Sequence, residues 1–336
     1  MQVIPHESEP PLFFVLNRGS GRNDASASCQ AIESAMLLAA RRYRLFVIED
    51  LDSLKPTIER AVDAACAEGG VVVAVGGDGT INAVANVALG SRCLFGALPQ
   101  GTFNYFGRTH GIPEDILAAL DDLLHGKPSP VQVGLVNDRV FLVNASVGLY
   151  PELLEDREVF KRRYGRSRLV ALWSGLVTAL GNHRYLDMVL EQDGKQVHLR
   201  TTTLFIGNNR LQLEQVGVQE AESVKQGQLA AIAVKPVGTL AMLWLAARGA
   251  LGRLGDAENV ISFSFRSLTV APIRMWRGKG GAQPAELRPT KQKRLPRRRI
   301  KVAADGEIMW LQAPLEFRVA PEPLLLIKRR MEGDAA

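Results

Sequence analysis

The run Val71-Val72-Val73-Ala74-Val75 stops abruptly at Gly76-Gly77-Asp78-Gly79-Thr80 and resumes as Ile81-Asn82-Ala83-Val84-Ala85-Asn86-Val87. A continuous apolar run bounded by glycine suits a strand buried on both faces, and such strands belong to parallel sheets covered by helices. The stretch therefore reads as strand, tight loop, helix. Its loop lies at the carboxyl end of a strand, where open α/β sheets bind ligands. Glycines let the backbone come close to a ligand, and the N–H groups of the following helix's first turn point at the same spot. Polyphosphate fits that description. Asp78 would repel phosphate unless a cation lay between them, so the ligand that reconciles loop and carboxylate is a Mg²⁺-nucleotide. The competing reading is a plain strand-to-helix turn with Asp78 as helix N-cap.

A second loop of the same kind tips the balance. Leu94-Phe95-Gly96-Ala97-Leu98 is another short apolar strand, and Pro99-Gln100-Gly101-Thr102-Phe103-Asn104-Tyr105 follows it with glycine, hydroxyl and amide. A first strand at Leu12 to Leu16 runs into Asn17-Arg18-Gly19-Ser20-Gly21, again polar and glycine-rich. Late in the chain, Asp305-Gly306-Glu307 follows the strand-like Ile300 to Ala304. By itself an Asp-Gly-Glu turn is weak evidence, since plain hairpins often carry one.

Taken together these blocks resemble the diacylglycerol kinase catalytic family, which includes sphingosine kinases and bacterial lipid kinases and is distantly related to NAD kinases. The family's Gly-Gly-Asp-Gly-Thr loop matches Gly76 to Thr80, its Leu-Pro-x-Gly-Thr-x-Asn block matches Leu98 to Asn104, and its Asp-Gly-Glu matches Asp305 to Glu307. Asn17, Ser20 and Gly21 resemble its first nucleotide contact, with Arg18 in place of a proline. The resemblance implies ATP and Mg²⁺ as partners in catalysis. It implies nucleotide contacts from Asn17, Ser20, Gly21, Gly76, Gly77, Asp78, Gly79, Thr80, Ile81, Asn82, Gly101, Thr102 and Asn104, with Asp78 holding the metal. Glu307 becomes the general base for a lipid hydroxyl, and Asp305 its electrostatic partner or a contact to the nucleotide's metal. Ala83 and Tyr105 stand where relatives carry carboxylates. Ser223-Val224-Lys225-Gln226-Gly227 replaces an acidic cluster that binds a structural Mg²⁺ in bacterial members, so that metal site is not carried over.

The flanking pattern extends the reading to a fold. Strand and helix alternate: a helix from about Asp24 to Arg42, a strand at Leu45 to Ile48, a helix from Ser53 to Ala67 with Pro56 in its first turn, and a helix from Asp115 stopping at Gly126. The expected fold is an α/β amino-terminal lobe with a parallel sheet, followed by a carboxyl-terminal antiparallel β-sandwich with helical insertions. The change of pattern falls at Lys127-Pro128-Ser129-Pro130, giving a nucleotide-binding lobe over 1–128 and a β-rich lobe over 129–323. Its predicted strands include Gln132 to Leu135, Val140 to Ser146, and Tyr185 to Glu191 with Val197 to Ile206 around the hairpin signal Asp193-Gly194. Leu229 to Val234, Ile261 to Val270, Ile300 to Ala304 and Leu315 to Val319 complete the set. Helices are expected at Pro151 to Tyr164, Leu169 to Leu180 and Leu240 to Leu251. The resemblance returns the last segment, 324–336, to the first lobe.

Charge and composition narrow the partners. The net charge of +6 is local: Arg274 to Lys301 holds eleven Lys/Arg and one acid, Glu286. Lys291, Lys293, Arg294, Arg297, Arg298 and Arg299 would suit an anionic membrane surface, where a lipid substrate resides; a solvated linker is the alternative. No aromatic-rich strand or reading helix accompanies the charge, so nucleic acid is not expected. A homodimer stays open. Cys29, Cys66 and Cys93 lack metal-ligand spacing and read as free thiols of a reducing cytosol. No signal peptide is expected, and the apolar stretches are too short to span a bilayer, which places the chain in the cytoplasm, peripheral to the inner face of the membrane. His110, His125, His183 and His198 show no paired spacing, and no Walker or protein-kinase signature is present. Two rivals to a lipid kinase stay open: a soluble kinase of the NAD kinase type, and a silent nucleotide- or lipid-binding protein.

Overall fold

The structure, a computed structural model, describes residues 9–18, 25–91, 93–148, 151, 185–272 and 299–329. Strands β1 (Leu12–Asn17), β2 (Tyr43–Ile48), β3 (Val71–Gly76) and β4 (Leu94–Pro99) alternate with helices α1 (Ala25–Leu38), α2 (Leu51–Ala67) and α3 (Asp78–Ala88). All six residues of β3 are buried, as a run without polar alternation requires of a strand covered on both faces. Two further helices, α4 (Tyr105–Thr109) and α5 (Ile116–His125), precede β5 (Lys127–Val131). The last strand, β18 (Leu324–Lys328), completes the sheet in the order β2-β1-β3-β4-β18-β5.

Two features depart from a parallel sheet ending at residue 128. The sheet is mixed, because β18 pairs parallel with β4 but antiparallel with β5. And the segment at which the pattern changes is itself a strand of this sheet, with Pro128 opposite Ile327 and Pro130 opposite Leu325. Proline cannot donate to a ladder, and β5 escapes that penalty by occupying the sheet edge with a single neighbour. Helix α2 begins earlier than Ser53, since Asp50 accepts from Ser53 N while Ser53 Oγ accepts from Asp50 N, a capping box that fixes the start at Leu51.

The second lobe stacks two six-stranded antiparallel sheets. One runs β10-β9-β14-β17-β6-β7, built from β6 (Gly134–Val136), β7 (Arg139–Phe141), β9 (Leu186–Gln192), β10 (Lys195–Thr201), β14 (Ser267–Pro272) and β17 (Leu315–Val319). The other runs β13-β12-β11-β8-β15-β16, built from β8 (Asn144–Gly148), β11 (Thr203–Gly207), β12 (Leu229–Val234), β13 (Val260–Phe265), β15 (Arg299–Ala304) and β16 (Glu307–Gln312). Phe141, Leu268 and Phe317 from the first sheet and Val147, Leu204, Phe265 and Val302 from the second share one core. The predicted single strands Val197 to Ile206 and Ile261 to Val270 are each divided, at Thr202 and at Arg266, and pass from one sheet to the other. Strands that switch sheets at a corner keep an unbroken apolar pattern, so periodicity does not reveal the break.

Helix α6 (Arg210–Gln215) and a 3₁₀ helix (Gln219–Gln226) pack on the second sheet, Leu213 and Ala221 sharing a small core with Ala230 and Ile232, and α7 (Thr239–Ala250) follows β12. The expected helices at 151–164 and 169–180 lie outside the described residues apart from Pro151, which is helical. The basic residues Lys291, Lys293, Arg294, Arg297 and Arg298 lie outside them too; Arg299 opens β15. No helix among the described residues is long and apolar enough to cross a membrane.

Candidate active site

The two glycine loops of the first lobe lie against each other. A Cβ on Gly101 would stand 2.9 Å from Gly77 Cα, closer than side chains come, and one on Gly77 would stand 3.3 Å from Gly101 Cα, tighter than most side-chain contacts. Gln100 N donates to Gly76 O at 2.8 Å, so strand β4 delivers its loop onto the end of β3. Asn104, in the left-handed conformation at φ 48°, turns its Oδ1 back to accept from Gly101 N at 2.7 Å. The amino terminus of α3 carries no side-chain cap, as suits a helix end that meets an anionic ligand.

Asp78 does not cap its own helix. Its carboxylate accepts from Tyr105 N at 3.3 Å and from Phe106 N at 3.2 Å, and thereby caps α4, whose own N-cap residue Asn104 makes no side-chain bond there. Burial pushes the Asp78 carboxyl above its ordinary value, against the backbone donors of Phe106, Tyr105 and Asn104. A carboxylate has about four acceptor sites, so these backbone donors still leave room for a cation. Asn17 Nδ2 donates to Thr80 Oγ1 at 3.2 Å, tying the end of β1 to the same turn.

Not every residue named from the sequence faces this cradle. Ile81 is wholly buried in the core, and its N–H is spent on Gly77 O. Asn82 turns to the other lobe, donating to Asp305 Oδ2 at 2.7 Å and to Val140 O at 3.1 Å. Thr102 is exposed on the loop. Ser20 and Gly21 lie outside the described residues.

The second lobe presents a two-residue hairpin. Asp305 and Gly306 have φ of 47° and 86°, the pair of left-handed residues that an Asp-Gly turn supplies, and Ala304 pairs with Glu307 across it. Asp305 Oδ2 accepts from Leu142 N at 2.6 Å and Oδ1 from Val143 N and Asn144 N, both at 2.9 Å, in addition to Asn82. Its backbone is partly open, but its carboxyl is enclosed. Burial pushes that carboxyl up to about 6 against the four donors. With four hydrogen bonds on two oxygens, it has no vacant position for a metal. The expectation that Asp305 contacts a nucleotide's metal therefore gives way to a clamp: it holds the 142–144 turn and, through Asn82, joins the hairpin to α3.

Glu307 is different. It opens β16 as an exposed residue without a described hydrogen bond, and its Oε1 lies 3.8 Å from the Cβ position of Gly79. The carboxylate from the second lobe thus stands over the first turn of α3. Burial of the carboxyl on that side raises its affinity for a proton, and the Arg139 guanidinium on β7 partly opposes this. Sequence reasoning did not single out Arg139, nor Asn86, whose Oδ1 accepts from Val140 N at 3.1 Å and helps fasten α3 to β7. It also passed over Phe103, 52% exposed and stacked on Tyr105 at 5.8 Å. A lone arginine after a turn gives no signal in sequence. Ala83 is half-buried against the first core, and Lys225 pairs with Glu222 at 3.1 Å.

Comparison with known proteins bears on the family and on the fold. Residues 11–136 match the family model of the diacylglycerol kinase catalytic domain. The diacylglycerol kinase of Bacillus subtilis (strain 168) is 37% identical over 139 residues, 40% of this chain and 45% of that protein. That of Staphylococcus aureus (strain JH9) is 42% identical over 80 residues, 23% of this chain and 25% of its own length. These alignments span less than half the length of the curated relatives. A crystal structure of a diacylglycerol kinase from Bacillus anthracis str. Sterne superposes over 96% of this chain and 98% of its own, with a TM-score of 0.64 at 16% identity. A second structure from that organism gives 0.67 at 17%. At such identity the likeness is one of fold: a mixed sheet in front and antiparallel sheets behind. The resemblance read from the motifs is borne out, and the family model's match covers the first lobe and the start of the second.

Proposed function

We propose that this protein is an ATP-dependent lipid kinase that transfers the γ-phosphoryl group to a lipid hydroxyl, with diacylglycerol as the default acceptor. The observation that carries the reading is the approach of Glu307 Oε1 to Gly79, which brings an acidic side chain of one lobe to the phosphate-type cradle of the other. Diacylglycerol as acceptor rests on the names of the matching family model and of the similar relatives.

Phosphoryl transfer is mostly positioning and charge stabilisation. The start of α3 and the apposed backbones of Gly77 and Gly101 would bind the phosphates, because a glycine loop lets the main chain come close to a ligand. The free lone pairs of Asp78 suit a hard, oxygen-seeking ion, and this residue would hold Mg²⁺. When bound, the ion neutralises phosphate charge. Glu307 would accept the proton of the lipid hydroxyl as the hydroxyl oxygen attacks the γ-phosphorus, while the bond from that phosphorus to the β–γ bridging oxygen breaks and ADP leaves. A carboxyl raised toward working pH is a better base than an ordinary glutamate, because general-base efficiency improves as the pKa approaches the pH. Asp305 acts through position, setting the hairpin from which Glu307 projects.

The test is transfer of ³²P from labelled ATP over a panel of diacylglycerol, sphingosine, other lipid alcohols and NAD, with Glu307→Gln as control. A phospholipid product from the wild type and none from the variant supports the proposal. Label on NAD would support a soluble nucleotide kinase, and no product from any acceptor would support a silent binding protein, the reading that Ala83 and Tyr105 favour by removing carboxylates from the cleft.

A further inference from the structure

Helix α7 turns a line of large apolar side chains outward. Leu240 is 83% exposed, Trp244 64% and Leu251, just past the last turn, 74%. Separations of four and seven residues put these three on one narrow stripe of a helix with 3.6 residues per turn. Ala247, on the same stripe, is exposed, whereas Leu245 on the far side is buried. Single exposed leucines are ordinary, but an aligned stripe with a tryptophan at its middle is not.

Along the chain, the charges within and just after the stripe are of one sign. From Thr239 to Gly255 the chain has Arg248 and Arg253 and no acid; Asp256 and Glu258 come only after the following turn. Arg248 Nε donates to Arg253 O at 3.1 Å, which keeps both cations at the helix's carboxyl end. Apolar stripe, indole and neighbouring arginines are what an interfacial helix presents to anionic headgroups.

The position relative to the cleft is also set. A Cβ on Gly217 would come within 1.9 Å of Gly252 O, and Leu254 N donates to Val216 O at 2.9 Å, so the end of α7 is seated against the end of α6. Helix α6 in turn meets the nucleotide loop: Tyr105 Oη donates to Gln215 Oε1 at 3.5 Å, and Asn209 Nδ2 donates to Tyr105 O at 3.2 Å. Tyr105 N is one of the donors to Asp78.

We infer that α7 is a membrane-docking helix: the stripe Leu240–Trp244–Leu251 enters the headgroup boundary of an anionic bilayer, and its seat on α6 holds the cleft beside that surface. The inference deepens the proposed function and rests on it for the need to reach a lipid acceptor. Docking itself is measurable without turnover.

The experiment is co-sedimentation of the full chain with vesicles of phosphatidylglycerol and phosphatidylcholine, alongside vesicles of phosphatidylcholine alone. The expected result is stronger binding to the anionic vesicles and a loss of about tenfold or more for Leu240→Ser/Trp244→Ser, whose exposed side chains support no core. Lipids brominated near the headgroup should quench a share of tryptophan fluorescence that disappears in Trp244→Phe. Unchanged binding or quenching in these variants overturns the inference. So does a wild-type dimer in sedimentation velocity that the double variant dissociates, because the stripe would then be covered by a second copy. If vesicle binding behaves as expected and no lipid is phosphorylated, the kinase reading fails while α7 remains a membrane-binding element.

Discussion

The two lobes meet the cleft with opposite kinds of surface. The first lobe offers backbone: glycines of two apposed loops and the uncapped start of α3, with side chains such as Ile81 turned into the core. The second offers side chains on a rigid hairpin, and there the chemistry divides over a span of two residues. Asp305 spends its carboxylate on four hydrogen bonds, while Glu307 keeps its own free over Gly79. A cradle that must accept any face of a polyphosphate is best made of N–H groups. A base that must meet one proton is best carried by a side chain whose support is fixed by another.

That division makes distinct predictions for neighbouring acids. Glu307→Gln should lower turnover by about 10³-fold, in the range that loss of a general base costs, and leave the melting temperature unchanged because no described hydrogen bond is lost. Asp305→Asn should do the reverse in emphasis. Its amide would point an N–H at a backbone N–H, and the lost charge-assisted bonds should destabilise the fold by roughly 2–4 kcal/mol. Denaturant unfolding of the two variants decides the matter: equal stabilities would show that Asp305 is no clamp.

The cradle makes the next largest prediction. Gly101→Ala places a methyl group 2.9 Å from both Gly77 Cα and Asn104 Oδ1, so the loops must part. Overpacking of this kind costs about 1–3 kcal/mol, and the loss should appear chiefly as weaker nucleotide binding. Titration with an ATP analogue would measure it; wild-type affinity in the variant would mean that the close approach of the loops has no part in holding phosphate.

The comparison also explains what could be read in advance. The βα repeat of the first lobe and its glycine loops were legible, because each is a local pattern and the buried strand β3 announces itself by five successive apolar residues before Gly76. Strand β5 was hidden by Pro128 and Pro130, whose presence an edge position alone excuses. The sandwich strands were legible as strands but not as members of one sheet or the other, since alternation records half-burial and not the partner. In the site, residue type could not assign roles. Asp305 and Glu307 are both carboxylates beside one glycine, and only their non-local partners separate them: the N–H groups of 142–144 for one, Gly79 for the other. For the same reason sequence left open the competing reading of Asp78 as a cap of its own helix, whereas the donors it receives lie on α4, 27 residues further on.

The smallest effect tests the electrostatics of Glu307 itself. The base must be ionised to accept a proton, so kcat/KM should rise with pH through the Glu307 titration and level above it. Burial displaces that rise above the ordinary glutamate range, and the positive charge of Arg139 draws it partly back. Arg139 sits at the edge of β7, in reach of solvent, so its influence is screened and amounts to no more than that of a surface ion pair, about 0.2–1 kcal/mol. Arg139→Ala should therefore move the acid limb of kcat/KM upward by a few tenths of a pH unit, with the plateau preserved. A limb that stays in place would mean that Arg139 does not act on Glu307, and a limb that moves downward would mean that the titrating group is another residue altogether.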